Sequence, residues 1–349
     1  MVAGNPLAYI YEGEERTINP VEVTVKSLDE SGSLVDETHT FYTTHNAIMV
    51  GGQFPWLTSL AFSVRLVDEG ARGPGGGSKA MVRSKTVREL KDALAASQHL
   101  PSINTIAVDS SGETLYGVLG PFANFTDEQL VDCQFNGPTY FGNSAACEWN
   151  TDPDSAADGL MGASKLVNQF RNDYVTNSNS SYWLTNPEEP LTGWPLVLGD
   201  IETERSPRTR SGLAMVAQRQ AGTDGLPGTT FDMDNMQELM LSNQNYVGQI
   251  LRDDLVTLCT DNPTVTVDGS EINLATACQV LADWDLTSNL DSRGAHLFRE
   301  FMRAARVDES SRSRSMPAAL NYVTDFGLED PVNTPRGLDT TDNALALDF

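Results

Sequence analysis

The chain has no long apolar run and few basic residues, and each shortage excludes a class of function. No stretch of about 20 apolar residues occurs in the 349 residues, so no segment is expected to span a bilayer. Lysine and arginine number 23 against 48 aspartates and glutamates, which gives a formal net charge of −25 at pH 7. Such an acidic surface repels phosphate backbones, so the sequence argues against nucleic-acid binding.

Histidine is also scarce, and the opening residues are not expected to be a targeting segment. The four histidines are His39, His45, His99 and His296. None stands in a Ser-His-Asp or H-E-x-x-H setting, so each is expected to be a hydrogen-bonded structural residue. The opening residues, M-V-A-G-N-P, have neither a basic start nor an apolar run, so they are not predicted to be a signal peptide.

The first third of the sequence carries clear strand and helix signals. Hydrophobic residues make up 40% of the chain, which is enough for a core, and the length allows one large or two ordinary domains. Strict alternation over 21–25 predicts a strand that forms a hairpin with a second strand near 38–44. Thr86 and Glu89 have the spacing of a capping box at a helix start. The turn segment 109–112 between two apolar runs predicts another hairpin.

The remaining segments alternate between irregular and helical patterns. Residues 121–160 are rich in Asn, Gly, Pro and Asp and are interpreted as an irregular insertion, and 161–170 return to a helix-like pattern. A helix is expected from about Asp234, followed by a polar loop over 262–271 and a helix capped by Asn273. The buried stripe of a last helix is Ala295, Phe298, Phe301, Met302 and Ala305.

The stretch 174–210 has the composition of a functional site. A short β-like run, Y-V-T, ends at Asn177 and Asn179, and the aromatic pair Y-W follows. A proline-rich loop then leads to three arginines, Arg205, Arg208 and Arg210. Side-chain amides at a strand end, followed by cations behind a rigid loop, are a common way to build a site.

This stretch resembles the penicillin acylase family, and within it the branch that hydrolyses acyl-homoserine lactones. The resemblance is carried by N-S-N-S-S-Y-W-L-T-N-P-E-E-P-L-T-G-W and the following G-D-I-E-T-E-R-S-P-R-T-R, and it weakens before residue 40. It implies an α+β fold: part of the αββα sandwich of the N-terminal-nucleophile hydrolases, with an additional β-rich and a helical segment. The expected divisions are a β-rich part over 1–120, the insertion and site over 121–230, and a helical part over 231–349.

The resemblance also implies a reaction. In the family, a serine exposed by self-cleavage at the start of the β segment attacks the acyl carbonyl, with its own α-amino group as the base. That serine is not in this chain, which is expected to be an interior piece of the β segment and inert alone. The implied partners are a small acyl amide substrate, the α segment and the rest of the β segment. No cofactor is implied, and structural calcium stays possible without a specified ligand set.

Two residues receive roles from the resemblance. Asn177 takes the position of the family asparagine that donates to the oxyanion, with Asn179 as the rival and mere capping of the strand end as the alternative. Arg205 matches the arginine that neighbours this asparagine and orients the site. Arg208 and Arg210 are alternatives for that role, or else these arginines pair with nearby acidic residues, Asp200, Glu202 and Glu204.

The resemblance implies an exported protein, periplasmic or secreted, which bears on the four cysteines. Two local disulfides, Cys133–Cys147 and Cys259–Cys278, are the simplest arrangement there, although four cysteines allow three pairings. Four buried thiols in a cytosolic protein are the alternative. A different function is also open: a non-catalytic, β-rich binding module of a secreted or virion surface. The long motif at 177–210 argues against that module.

Overall fold

The computed structural model describes residues 1–51, 56–67, 76–100, 103–267, 269–305 and 316–342, and the chain forms two compact units. The first unit contains Met1–Val175 and Thr192–Gly199, and the second contains Thr176–Leu191 and Asp200–Phe349. Within the described ranges, every helix is too short or too polar to cross a membrane. The expected three-part division of the chain stays a prediction.

The first unit is built from antiparallel strands with short helices. Its elements are β1 (Ala8–Tyr11), β2 (Glu14–Thr17), β3 (Asn19–Leu28), β4 (Leu34–Thr43), β5 (Ile48–Val50), β6 (Phe62–Val64), α1 (Gly76–Arg83), α2 (Val87–Ser97), β7 (Asn104–Val108), β8 (Thr114–Val118), α3 (Asp127–Asp132), β9 (Gln134–Asn136), β10 (Thr139–Tyr140) and β11 (Asn168–Arg171). The larger sheets have the orders β3-β4-β5-β6 and β11-β8-β7.

The second unit is mainly helical. Its elements are α4 (Pro207–Ala221), α5 (Met233–Leu241), α6 (Tyr246–Asp261), β12 (Thr264–Val267), β13 (Ser270–Asn273), α7 (Ala275–Ala282), α8 (Ala295–Ala304), β14 (Tyr322–Thr324) and β15 (Arg336–Leu338). One cluster forms its main core: Leu251, Leu255, Leu258, Leu281, Trp284, Phe298, Phe301, Ala305, Met316, Leu320 and Leu338. The helix stripe predicted around residue 298 therefore faces this core, except that Met302 and Ala295 lie at its edge.

The predicted hairpin at 21–44 is confirmed and is longer than expected. Strands β3 and β4 pair over all ten residues of each, from Asn19 opposite Thr43 to Leu28 opposite Leu34. The turn is made by Asp29, whose Oδ1 accepts hydrogen bonds from the N–H groups of Ser31 and Ser33, both at 2.9 Å. Such side-chain capping of a turn is a property of Asp that is readable in the sequence.

The helix and hairpin at 86–118 are also confirmed, with one change in the cap. The Thr86 hydroxyl accepts from the Glu89 N–H at 3.2 Å, as a capping box requires. The Glu89 carboxylate, however, accepts from the N–H of Lys85 at 2.7 Å. Asp109 in the hairpin turn accepts from the Val87 N–H at 3.1 Å, so the turn also caps the helix start.

A charged network ties the irregular insertion to residues that flank the strands of the β3-β4-β5-β6 sheet. The Glu148 carboxylate accepts from His45 Nε2 at 2.8 Å, from Asn46 Nδ2 at 2.9 and 2.7 Å, and from Arg65 Nη1 at 3.2 Å. The other ring nitrogen of His45 lies 2.9 Å from the Tyr9 hydroxyl. Both nitrogens of His45 are thus engaged, which agrees with the structural role expected for it.

Three expectations about the helices and loops of this chain are wrong. Residues 161–170 are not helical: they contain one 3-10 turn, Ala163–Lys165, and then β11, which pairs with β8. Residues 262–271 are not a polar loop, because β12 and β13 form a hairpin with Gly269 at φ 77° in its turn. The helix expected from Asp234 is two helices, α5 and α6, and Asn245 caps the second.

Both local disulfides are present. Cys133–Cys147 lies within the insertion, and Cys259–Cys278 joins the end of α6 to α7. The described residues contain no free cysteine. The structure therefore selects the local pairing among the three that the sequence allows. The second crosslink closes a loop with a sequence separation of 19 residues that carries the β12–β13 hairpin.

The double variant Cys259→Ser/Cys278→Ser is expected to lower the free energy of unfolding by about 3 kcal/mol, because the crosslink restricts the unfolded chain. Urea denaturation followed by circular dichroism measures the change. Treating the unchanged protein with a reductant is the control and should cost at least as much. An unchanged midpoint with an unchanged slope would show that the crosslink does not stabilise this unit.

Candidate functional site

The strand predicted just before Asn177 is absent. The sheet ends at Arg171, whose Nε and Nη2 donate to the two oxygens of Asp173, both at 2.6 Å. Asp173 also accepts from the N–H of Tyr174 at 2.6 Å. This pairing holds the pKa of Asp173 at about 2, chiefly through the hydrogen bonds from Arg171. The aspartate takes up the backbone donor of Tyr174, and 174–176 is not a strand.

A closed loop holds the two asparagines instead. The N–H of Thr176 donates to the carbonyl of Thr185 at 3.0 Å, and the Thr185 hydroxyl donates back to the carbonyl of Thr176 at 3.0 Å. Residues 177–184 therefore form a loop with both ends fastened. The sequence carries no signal for this threonine pair, because the two residues meet only when the loop is folded.

Asn177 and Asn179 have different positions in that loop. Asn177 is half-buried: its Oδ1 accepts from the Asn179 N–H at 2.7 Å, and its Nδ2 donates to the Ser180 carbonyl at 3.1 Å. Asn179 is exposed and has a left-handed backbone with φ 59°. The two amides do not share a strand face, because no strand forms at 177–179. The Asn177 amide is held in one orientation, and it caps the loop in which it lies.

Arg205 is buried and touches the same loop. The residue is only 6% exposed, and its guanidinium lies 4.8 Å from the ring centre of Trp183. Nη2 donates to the Asp200 carbonyl at 3.0 Å and to the Thr203 hydroxyl at 3.1 Å. The Ser181 hydroxyl donates to that same carbonyl of Asp200. One main-chain oxygen therefore joins Arg205 to the loop that contains Asn177.

The electrostatics of Arg205 are unusual for an arginine. Burial lowers its pKa, and the nearby charge of Asp200 partly opposes that shift. Among the described residues, no hydrogen-bond acceptor meets its buried Nε–H. A buried donor without an acceptor costs free energy, about 1–3 kcal/mol, and is rare in folded proteins. Arg205 is thus a rigid, partly unsatisfied cation beside the asparagine loop.

The other two arginines of the motif differ in burial and in their contacts. Arg210 is fully buried in α4, with Nε donating to the Val332 carbonyl and Nη2 to the Pro335 carbonyl, both at 2.8 Å. It holds the segment P-V-N-T-P-R-G-L in place. Arg208 is exposed. Across the described ranges, none of the three arginines forms an ion pair with Asp200, Glu202 or Glu204, so the ion-pair alternative is not supported.

Two aromatic residues of the motif, Tyr182 and Trp183, are core residues. Tyr182 is completely buried, and Trp183 packs with Leu184 and Leu213. This agrees with aromatic packing as the default role for Tyr182 and Trp183. In the part of the chain that the structure describes, no group of three or more histidine, cysteine or acidic side chains is placed to hold a metal ion. Among the described residues, no set of ligands for structural calcium is therefore identified.

Comparisons with known proteins agree on one family. The model of the family described as penicillin amidase matches residues 1–348. Aculeacin-A acylase of Actinoplanes utahensis is 36% identical over 357 residues, covering 98% of this chain and 43% of that protein. The acyl-homoserine lactone acylase PvdQ of Pseudomonas fluorescens (strain Pf0-1) is 28% identical over 342 residues, covering 96% of this chain and 41% of that protein.

A solved structure supports the fold. The thermostable penicillin G acylase from Alcaligenes faecalis matches with a TM-score of 0.58 at 16% identity, covering 93% of this chain and 54% of that one. The expected α+β fold of the N-terminal-nucleophile hydrolases is thereby confirmed. The chain spans less than half the length of the curated relatives named above.

Asp173→Asn is expected to reduce the loss of stability in acid. The pKa of Asp173 in the folded protein, about 2, lies below its ordinary value of 3.8, so its pairing stabilises the fold above pH 4 and is lost as pH falls toward 2. Because the side chain is 34% exposed, screening limits the effect to about 1 kcal/mol. Urea denaturation at pH 6, 4 and 2.5 measures it. Asp158→Asn, at an exposed position, is the control, and identical acid profiles for both variants would contradict the assignment.

Arg210→Met is expected to destabilise the protein by more than about 2 kcal/mol, because two buried carbonyl groups lose their donors. The matched control is Arg208→Met, two residues away and exposed, with an expected change within about 0.5 kcal/mol. Thermal and urea denaturation compare the two variants. Equal effects would show that Arg210 does not anchor the 332–335 segment.

Proposed function

This chain belongs to the penicillin amidase family, and on that premise we propose that it is part of an amidohydrolase that cleaves N-acyl-homoserine lactones or related acylated amides. The observation that carries the proposal is the family match over residues 1–348, together with two named acylases that each align with at least 96% of the chain. One relative is named for aculeacin A and the other for acyl-homoserine lactones, and both are named as acylases.

The complete enzyme contains more than this chain. The curated relatives are more than twice as long as the part that this chain matches. We therefore place the nucleophile, a serine at the start of the β segment, in the remainder of the polypeptide, together with the α segment. The two disulfides support a periplasmic or secreted protein, because such bonds persist in oxidising compartments.

Asn177 is the side chain that this unit contributes to the oxyanion. When the serine hydroxyl attacks the acyl carbonyl, negative charge forms on the carbonyl oxygen, and a fixed donor stabilises it. The amide N–H₂ of asparagine donates at any pH. The two hydrogen bonds within the loop fix the orientation of the Asn177 amide before substrate arrives. Asn179 is less suited because it is exposed on the outside of that turn.

Arg205 is the positioning residue for this donor. It is buried, stacked near Trp183 and joined to the asparagine loop through the Asp200 carbonyl. Its planar group keeps the loop against a fixed support, while its Nε–H and positive charge favour an anionic reaction centre. The amine leaves from the tetrahedral intermediate, and water then releases the carboxylic acid from the acylated serine.

The alternative of a non-catalytic surface module receives no support from these comparisons. The relatives named above are acylases, and the family model extends over both compact units. The motif at 177–210 also accounts for the loop, for the buried arginines and for the anchored segment at 332–335. A generic binding module has no requirement for these features.

Asn177→Ala in the complete polypeptide is expected to lower kcat by about 10²–10³ with a much smaller change in KM, because the lost donor acts on the transition state. Release of carboxylic acid from amides with graded acyl chains measures turnover. Self-cleavage of the precursor and the melting temperature report whether the protein is folded.

Asn179→Ala is the matched control in the same loop and should retain most turnover. If Asn177→Ala keeps full turnover, the donor is another group. If it prevents self-cleavage and lowers the melting temperature, its role is to hold the loop. A complete polypeptide that releases no acid from any of the amides would reject the proposed activity itself.

A further inference from the structure

The helix that follows Arg205 contains a glycine in its interior. Helix α4 runs from Pro207 to Ala221, and Gly212 is the sixth of its 15 residues. Among the glycines of the described helices, it lies furthest from a helix end. Glycine is a poor helix former, because it loses more backbone freedom than alanine does and contributes no side chain to packing. The position therefore has a use that outweighs this cost.

Close approach of the asparagine loop accounts for glycine at this position. A Cβ atom at position 212 would lie 3.1 Å from the Oγ of Ser178, which is tighter than an ordinary van der Waals contact. Because glycine has no Cβ, it allows the loop to approach the helix this closely. With alanine at position 212, Ser178 or the helix would have to move by a few tenths of an ångström.

Ser178 lies inside the turn that fixes the Asn177 side chain. The Oδ1 of Asn177 accepts from the N–H of Asn179 at 2.7 Å, and its Nδ2 donates to the carbonyl of Ser180 at 3.1 Å. Both of these backbone groups follow Ser178 in the chain, so a displacement of Ser178 moves the partners of the Asn177 amide. The contact with α4 therefore bears on the orientation of that amide.

The same helix is joined to the rest of the candidate site. Leu213, the residue after Gly212, packs with Trp183 near the far end of the asparagine loop. Arg205 directly precedes the cap of the helix, Ser206. Helix α4 thus contacts the loop at two points and follows directly on the arginine that supports it.

We propose that Gly212 and Ser178 form a positioning contact that sets the place of the Asn177 amide, in addition to the hydrogen bonds within the loop. The catalytic consequence rests on the proposed function, in which Asn177 donates to the oxyanion. Such a donor must lie within about 0.5 Å of its productive position, and a misplacement of about 1 Å can cost about 10²-fold in rate. A shift of a few tenths of an ångström at Ser178 therefore lowers turnover and leaves the fold intact.

Gly212→Ala in the complete polypeptide tests this contact. It is expected to lower kcat about tenfold and to change KM less than about twofold, because the displaced donor acts on the transition state. The melting temperature is expected to stay the same or to rise, since alanine favours the helix. Adding Ser178→Ala removes the Oγ that the new methyl group meets, so kcat should return to within about twofold of the parent value.

The matched control is Ala217→Gly, at an exposed position of the same helix. It changes helix propensity without touching the asparagine loop. Its melting temperature is expected to fall by a few degrees while kcat stays unchanged. The two variants thus separate the stability of α4 from the position of the loop.

A second measurement follows the displacement without turnover. In protein isotopically labelled only at asparagine nitrogen, the side-chain amide resonance of Asn177 is identified by its loss in Asn177→Ala. Gly212→Ala is expected to move this resonance, and the added Ser178→Ala is expected to return it toward its place in the parent protein.

Other outcomes contradict the proposal. An unmoved resonance with unchanged kcat would show that Ser178 adapts without moving Asn177. A loss of kcat that Ser178→Ala does not restore would place the effect of Gly212 at another contact, and a lower melting temperature with unchanged kcat would leave it a structural role only. If the parent polypeptide releases no acid from any amide but the resonance moves and returns as stated, the proposed function is rejected and the positioning contact stands.

Discussion

Buried guanidinium groups that donate to main-chain carbonyl oxygens are the interaction on which the second unit depends. Loops without a sheet partner leave carbonyl groups that need donors when they are buried. Arg205 supplies one to Asp200, and Arg210 supplies two to the 332–335 segment. Arg219 donates to the carbonyls of Leu226 and Pro227 beyond the end of α4. Arg219 also forms a buried ion pair with Asp224 at 3.1 Å, so it joins both a carboxylate and the backbone.

The same constraint explains the rigidity of the candidate site. A loop between two fastened threonines, a buried arginine and a tryptophan leave little freedom for the Asn177 amide. Preorganised donors stabilise a developing charge without reorganising during the reaction, which is what an oxyanion site requires. The hydrogen bonds of Asn177 within the loop are therefore compatible with a catalytic role. A catalytic role and a purely structural role are distinguished by whether loss of the amide lowers kcat.

The first unit contains a long irregular insertion with little apolar content, and other interactions stabilise it. The Cys133–Cys147 crosslink restricts the conformations of this insertion in the unfolded state. The Glu148 carboxylate fastens the insertion to His45, Asn46 and Arg65. A carboxylate with this many donors is costly to lose, because each of them would be left unpaired.

Local chemistry by itself determined much of this protein. The turns at Asp29 and Asp109 and the cap at Thr86 depend on side chains that bond their own neighbouring backbone, so short segments were sufficient to predict them. The family, and the expected fold with it, followed from a motif that is long and varied in residue type. That motif also singled out Asn177, and the catalytic role of Asn177 stays a proposal.

Tertiary structure decided the rest, because the deciding partner is distant in sequence. The strand at 168–171 exists because β8 offers it a ladder, whereas Thr176 of the Y-V-T run pairs with Thr185 to close a loop and the run is not a strand. Arg205 and Arg210 are alike as residues. One supports the asparagine loop and the other holds a segment more than 120 residues away, and only the folded carbonyl positions distinguish them. The cysteine pairing was settled in the same way, by which chain segments the fold brings together.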